Sequence, residues 1–84
     1  MHHLEFFYFE ACPFCQIVLK EIERLNIKVD YKNIHKDRQN LERLVQDTGR
    51  KTTPCLYIDN KPMFESRDII EWLRKHADEL EKKD

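Results

Sequence analysis

Cys12, Pro13, Phe14 and Cys15 form a Cys-x-x-Cys pair directly after an aromatic-rich run and at the start of a helical pattern. At a helix N-terminus the unpaired backbone N–H groups and the helix dipole favour an anion, which lowers the pKa of a thiol at the cap position. Cys12 holds that position and is the candidate nucleophile. Cys15, within the first turn and more covered by the helix, is close enough to attack a mixed disulfide formed at Cys12 and is the candidate resolving thiol. A structural zinc site would usually need a second such pair, and Cys55, His2, His3, His35 and His76 supply none at matching spacing. A pair of inert core cysteines is the other alternative, but a strand-to-helix junction is where thiolates are activated.

The elements that must hold these cysteines follow from punctuation and periodicity. Leu4 to Phe9 suits a buried strand of an α/β sheet. Pro13 is tolerated as a first helical residue, and Phe14, Ile17, Val18, Ile22 and Leu25 predict a helix from about Pro13 to Leu25. Ile27, Val29 and Tyr31 alternate with Lys28, Asp30 and Lys32, the pattern of a half-exposed strand near an edge. Leu41, Leu44 and Val45 mark a second helix over Asp37 to Asp47, closed by Gly49, the only glycine, in a left-handed cap. Cys55 to Ile58 predicts a buried strand, Asp59-Asn60 a tight turn, and Lys61 to Phe64 the returning strand, which Pro62 places at an edge. Thr52-Thr53-Pro54 enters that hairpin through a turn or a cis bond. Ser66 is expected to cap a third helix with Asp68 in its first turn and Ile69, Ile70, Leu73, Ala77 and Leu80 facing inward, and the tail Glu81 to Asp84 is expected to fray. The order β-α-β-α-β-β-α predicts an α/β fold with a four-stranded mixed sheet and three helices, the first two strands parallel through a right-handed crossover and the last two antiparallel.

Composition narrows the function classes. A chain of 84 residues is expected to form a single domain spanning 1–84, and 40% hydrophobic residues under 37% charged ones suit a small core with a solvated surface. A formal charge of -1 lacks the basic footprint of a nucleic-acid binder. No apolar run approaches the roughly 18 residues that span a bilayer, and Met1 to Glu5 lack a secretory pattern, so no membrane partner and a cytoplasmic location are expected. Nothing in this charged surface demands a partner, and a monomer is expected.

Three motifs in order, covering nearly the whole chain, make it resemble a glutaredoxin, the small glutathione-dependent branch of the thioredoxin fold. Cys12-Pro13-Phe14-Cys15 is similar to the dithiol active site, with phenylalanine where tyrosine is most usual. Thr48-Gly49-Arg50 followed by Thr52-Thr53-Pro54 resembles the cis-proline segment, and Glu65-Ser66-Arg67-Asp68-Ile69 the glutathione-binding turn, with Glu65-Ser66 closer to glutathione transferase N-terminal domains. The resemblance implies Pro13, Phe14 and Pro54 as structural residues of the site. It also implies glutathione held by the Thr53 backbone, by the N–H groups of Ser66 and Arg67 with the Ser66 hydroxyl, and by Arg50 or Lys51, with Arg38 or Gln39 as alternatives for the glycyl carboxylate. Three departures stand out: Phe9 where many members carry lysine, followed by Glu10, whose carboxylate would oppose a thiolate; Met63-Phe64 in place of paired glycines; and Arg67 where an acid is common.

The implied activity is thiol-disulfide exchange on protein disulfides and glutathionylated proteins, with glutathione as co-substrate, no tightly bound cofactor and no metal. Reduction by a flavin-dependent thioredoxin reductase is one alternative, and a glutathione-bridged dimer holding an iron-sulfur cluster through Cys12 is another. Outside these motifs, Cys55 is expected in the core, Phe14 exposed, Trp72 packed on the last helix, and the four histidines on the surface. The charged stretches Lys20 to Arg24 and Glu79 to Asp84 are expected to form solvated faces.

Overall fold

The computed structural model describes residues 2–83. Its elements run β1 (Leu4–Tyr8), α1 (Pro13–Arg24), β2 (Asp30–Asn33), α2 (Arg38–Thr48), β3 (Cys55–Ile58), β4 (Lys61–Phe64) and α3 (Ser66–His76), followed by a 3-10 turn at Ala77–Glu79. The sheet order is β2-β1-β3-β4, with β1 parallel to β2 and antiparallel to β3, and β4 antiparallel to β3. This is the expected thioredoxin-like order, a mixed four-stranded sheet with three α-helices.

β1 is central because both of its faces are covered. Side chains alternate across a strand, so Leu4 and Phe6 join Val18, Ile22, Leu56, Ile69 and Leu73 in the core under α1 and α3, while Phe7 joins Ile34, Leu44, Cys55 and Tyr57 under α2. Glu5 shares the face of Phe7 and is buried there. Its carboxylate accepts hydrogen bonds from Arg43 Nη1 at 2.6 Å and Nη2 at 2.9 Å. The same guanidinium lies 4.7 Å from the centre of the Tyr57 ring, and the Tyr57 hydroxyl donates to Asp47 Oδ2 at 2.9 Å. Leu44 is the one buried residue of α2, so this polar and cation–π contact supplies much of what docks the helix.

The turns follow the local chemistry. Asp37 caps α2, its Oδ1 accepting from the Gln39 N–H at 2.9 Å, and Gly49 closes it at φ 74°. Asp59 and Asn60 both take positive φ, 51° and 70°, as a tight hairpin turn requires, and Pro62 sits on the edge strand β4 opposite Tyr57. Cys55 is fully buried in the core under α2, and Trp72 packs from α3 against the core on the other face of the sheet.

The structure departs from the sequence-based expectations at several points. β1 ends at Tyr8 and α1 at Arg24, each one residue early. β2 begins only at Asp30. Ile27 and Val29 are buried as their alternation demands, but Ile27 bridges Lys82, with Lys28 N–H donating to the Glu81 carbonyl and Lys83 N–H to the Asn26 carbonyl, both at 2.9 Å. The C-terminal segment is therefore paired rather than frayed through Lys83, while Asp84 lies outside the described residues, as does Met1. Ser66 is the first residue of α3 rather than its cap; Glu65 takes that place at φ 76° with no side-chain cap bond. His2 and His76 are half-buried around Trp72, with ring centroids 5.3 and 4.5 Å from it.

Glu21, expected on a solvated face, is buried between two helices. It accepts from Arg24 Nη2 at 2.6 Å and from Arg74 Nε at 2.6 Å, tying α1 to α3. These two hydrogen bonds pull its carboxyl down to about 2, against the desolvation that pushes it up. A folded-state pKa below the unfolded value adds stability above roughly pH 4.3, and that stability is lost as pH falls through the folded value. Both guanidiniums are solvent-exposed, and screening limits the contribution of Glu21 to about 1 kcal/mol. Glu21→Gln is expected to lower stability by that amount at neutral pH and progressively less as pH drops from about 4 towards 2. Urea unfolding across this range checks it, and an equal loss at every pH would refute the assignment.

Candidate active site

The chain leaves β1 at Tyr8 and turns into α1 through a short loop closed by the Cys12 N–H donating to the Phe9 carbonyl at 3.2 Å. Cys12 occupies the N-cap with extended φ and ψ of -80° and 114°, and Pro13 follows as a first-turn residue whose missing N–H costs no helical hydrogen bond. The Cys12 Sγ accepts a hydrogen bond from the Cys15 backbone N–H at 3.3 Å and, at 3.8 Å, from the Thr53 hydroxyl.

Burial pushes the Cys12 thiol up. Donors from Cys15, Thr53 and the Phe14 N–H more than offset this and leave it below the ordinary value. Cys15 is fully buried, and desolvation together with its hydrogen bond to Cys12 raises its pKa to about 11. Cys55, deeper still, is raised by burial to about 12. One thiol of the three is thus poised to ionise. The Glu10 carboxylate, expected to oppose this, is paired with Lys36 Nζ at 2.9 Å in solvent, and Phe9 stacks on His35 with ring centres 4.5 Å apart.

The segment facing Cys12 is delivered by the end of α2. The Thr48 hydroxyl donates to the Leu44 carbonyl at 2.7 Å and accepts from the Arg50 N–H at 3.1 Å, and with the left-handed Gly49 it turns the chain towards β3. The Thr53–Pro54 peptide bond is cis, and Pro54 is buried. Phe14, Thr52, Thr53, Pro54, Glu65 and Ser66 line a groove of about 210 Å³ beside the cysteine. The Glu65 carbonyl accepts the Ile69 N–H at 3.0 Å, so α3 starts at the groove with its first-turn N–H groups unpaired by the helix.

Cys12, Cys15, Phe14, Thr53, Pro54 and Ser66 are therefore gathered at one place, and Phe14 is 60% exposed. The basic residues are not. The Arg50 guanidinium lies over the Phe64 ring at 3.9 Å, and Lys51 is exposed in the loop. Arg67 lines a neighbouring cleft rather than the groove, and Arg38 pairs with Glu42 at 3.7 Å. Spacing could not reveal the Lys36 partner of Glu10 or the strained φ of Glu65, which depend on contacts distant in the chain and on the backbone alone. The Thr53 hydroxyl was legible only as a side chain next to a cis-proline candidate. Among the described residues, no cluster of three or more His, Cys, Asp or Glu side chains is arranged to hold a metal ion, and no helix is long and apolar enough to cross a membrane.

Comparison with known proteins places this geometry. The family model for the glutathione S-transferase N-terminal domain matches residues 6–81. A thioredoxin-like protein of known structure is 26% identical, with a TM-score of 0.73 over 86% of this chain and 96% of its own. A glutathione transferase homologue from Drosophila mojavensis with bound glutathione is 19% identical, with a TM-score of 0.77 over 92% of this chain. The present chain spans only 36% of that transferase. A buckwheat glutaredoxin in complex with glutathione is 22% identical, with a TM-score of 0.70 over 90% of this chain and 72% of its own. No curated protein sequence matches the chain. The glutaredoxin resemblance and the likeness to glutathione transferase N-terminal domains noted in the sequence are both matched among these proteins.

Thr53→Val keeps the shape of the side chain and removes the hydroxyl bonded to Cys12. The thiolate of Cys12 should titrate higher, and alkylation by iodoacetamide near neutral pH should slow roughly threefold, the equivalent of one weak hydrogen bond. Absorbance at about 240 nm, which follows thiolate formation, checks the shift. An unchanged titration would show that the hydroxyl does not act on the sulfur.

Proposed function

We propose that this chain, which belongs to the family of glutathione S-transferase N-terminal domains, is a glutathione-dependent thiol-disulfide oxidoreductase. The observation that carries the proposal is the Cys15 N–H bonded to Cys12 Sγ at 3.3 Å at the cap of α1, which makes Cys12 the reactive sulfur of the pair.

In the reaction, the Cys12 thiolate attacks the glutathione sulfur of a mixed disulfide. The old S–S bond breaks as the new one forms, and the departing thiolate takes a proton from solvent. A second, reduced glutathione then attacks the glutathione sulfur bound to Cys12, giving glutathione disulfide and freeing Cys12. With a protein disulfide as substrate, Cys15 attacks Cys12 instead, releases the reduced protein and leaves a Cys12–Cys15 disulfide, which two glutathione molecules reduce. Glutathione fits the groove in an extended form, its cysteinyl part along the Thr53 backbone, which has no backbone partner among the described residues. Its γ-glutamyl carboxylate meets the Ser66 and Arg67 N–H groups and the Ser66 hydroxyl at the start of α3. The glycyl carboxylate falls to Lys51 or to Arg50 after it swings off Phe64. Protein disulfides and glutathionylated proteins of the cytoplasm are the proposed substrates of a monomer.

One observation favours a second reading. Position 9 is Phe rather than a cation, and Arg50 is engaged with Phe64, so glycyl-carboxylate recognition is thin on this surface. A flavin-dependent thioredoxin reductase would then return the dithiol to its reduced form.

The decisive assay supplies a glutathione mixed disulfide of a small thiol with glutathione, glutathione reductase and NADPH. Saturable turnover that disappears in Cys12→Ser is expected. Cys15→Ser should retain it while losing the reduction of protein disulfides. Absence of turnover, with the dithiol still reduced by thioredoxin reductase, would transfer the assignment to the second reading, and retention of protein-disulfide reduction in Cys15→Ser would overturn the division of labour.

A further inference from the structure

Larger than the groove at Cys12 is a cleft of about 390 Å³ between α1 and α3, lined by Ile17, Ser66, Arg67, Ile70, Glu71 and Arg74. Ser66 lines both, so the cleft continues the groove around the start of α3. The shared wall is unusually apolar for a surface. Phe14 on the groove and Ile17 on the cleft, one helical turn apart on α1, are 60% and 50% exposed, and Ile70 lines the cleft with Ile17. The rim leans positive although the whole chain carries -1. Arg24 and Arg74 share the single carboxylate of Glu21, and Arg67 has no carboxylate partner among the described residues, while Glu71 is the one acid facing into the cleft.

Resting on the proposed function, we propose that this α1–α3 face is where the polypeptide of a protein substrate docks while its cysteine reacts at Cys12. The occupant is a segment that carries an apolar side chain and an acidic residue close to its disulfide or glutathionylated cysteine. The apolar side chain seats on Phe14, Ile17 and Ile70, and the acid meets Arg67 on the rim. Glutathione fills only the groove on the far side of Ser66, so small substrates do not use the cleft. The charge pattern sets the preference for acidic over basic partners, and the apolar wall supplies the contact area.

The test uses two synthetic peptides, each holding one cysteine in a mixed disulfide with glutathione, one flanked by leucine and aspartate and the other by leucine and lysine. The acidic peptide should be turned over with roughly fivefold higher kcat/KM. Ile17→Ser should lose most of the rate on the acidic peptide while keeping that on a small glutathione mixed disulfide. Arg67→Glu should invert the ratio between the peptides, whatever it does to the absolute rates. The same peptides with serine for cysteine are titrated against the wild-type chain and followed by amide chemical shifts, a measurement independent of turnover. Shifts at residues 14, 17, 67 and 70 support the docking face even if glutathione turnover fails, which would sink the functional assignment alone. Turnover with no preference between peptides, or shifts elsewhere, overturns the docking face. A concentration-dependent dimer abolished by Ile17→Ser would also overturn it, assigning the face to a second copy of the chain.

Discussion

The stabilisation of the Cys12 sulfur by neutral donors is the interaction on which the remainder of this structure depends. No cation lies among the groups that lower its pKa; the donors are the Cys15 thiol, the N–H groups of Cys15 and Phe14 in α1, and the Thr53 hydroxyl. Cys12 and Thr53 are 41 residues apart in sequence, so the sheet must bring them together. The register does so. β1 and β3 are antiparallel with Phe7 opposite Cys55, so the loop leaving β1 and the loop entering β3 emerge at the same end. β4 pairs Phe64 with the same Cys55, and the chain therefore leaves β4 into Glu65 and Ser66 at that end too. Three segments of the site are gathered by two strand pairings alone.

The two layers that hold this sheet are secured differently. On the α1–α3 side a continuous apolar core does most of the work, and the Glu21 bridge to Arg24 and Arg74 fixes the two helices against each other near the surface. On the α2 side the core is smaller, and Arg43 is fixed between the buried Glu5 carboxylate and the rings of Phe7 and Tyr57. The helix that delivers the cis-proline segment is thus the one anchored by directional contacts. Direction matters there because the last turn of α2, through Thr48 and Gly49, sets where Thr53 arrives relative to Cys12.

Much of this was legible in the chain. Cys12 at a strand-to-helix junction, the hairpin from Cys55 to Phe64 and the left-handed Gly49 each follow from a local rule about caps, turns or alternation, and each stands where those rules place it. What was not legible depends on partners far away in sequence. Alternation at Ile27 and Val29 reports burial but not which strand they pair with, and here the partner is the C-terminal segment. A charged run at Lys20 to Arg24 looks solvated until Arg74 arrives from α3 to cover Glu21. Ser66 has the residue type of a cap, yet the positive φ at Glu65 moves the helix start by one residue. Arg67 carries the motif position but is directed to the cleft rather than the groove.

The split between the two cysteines bears on which thiol completes the proposed cycle. Cys15 is raised to about 11 first by desolvation and then by its contact with Cys12. When Cys12 is taken up in a mixed disulfide its sulfur is neutral, and the second cause disappears. The first persists, because Cys15 stays fully buried behind the first turn of α1. Its thiolate fraction therefore rises on formation of the intermediate but remains small, and exchange rates follow that fraction. A free thiol in solvent, such as reduced glutathione, meets no such desolvation and can reach the bound sulfur through the open groove at Phe14 and Ser66. In the proposed cycle, small mixed disulfides would thus be resolved from outside. Cys15 would compete only when a bulky protein on Cys12 blocks that approach, so that the size of the bound partner selects the route.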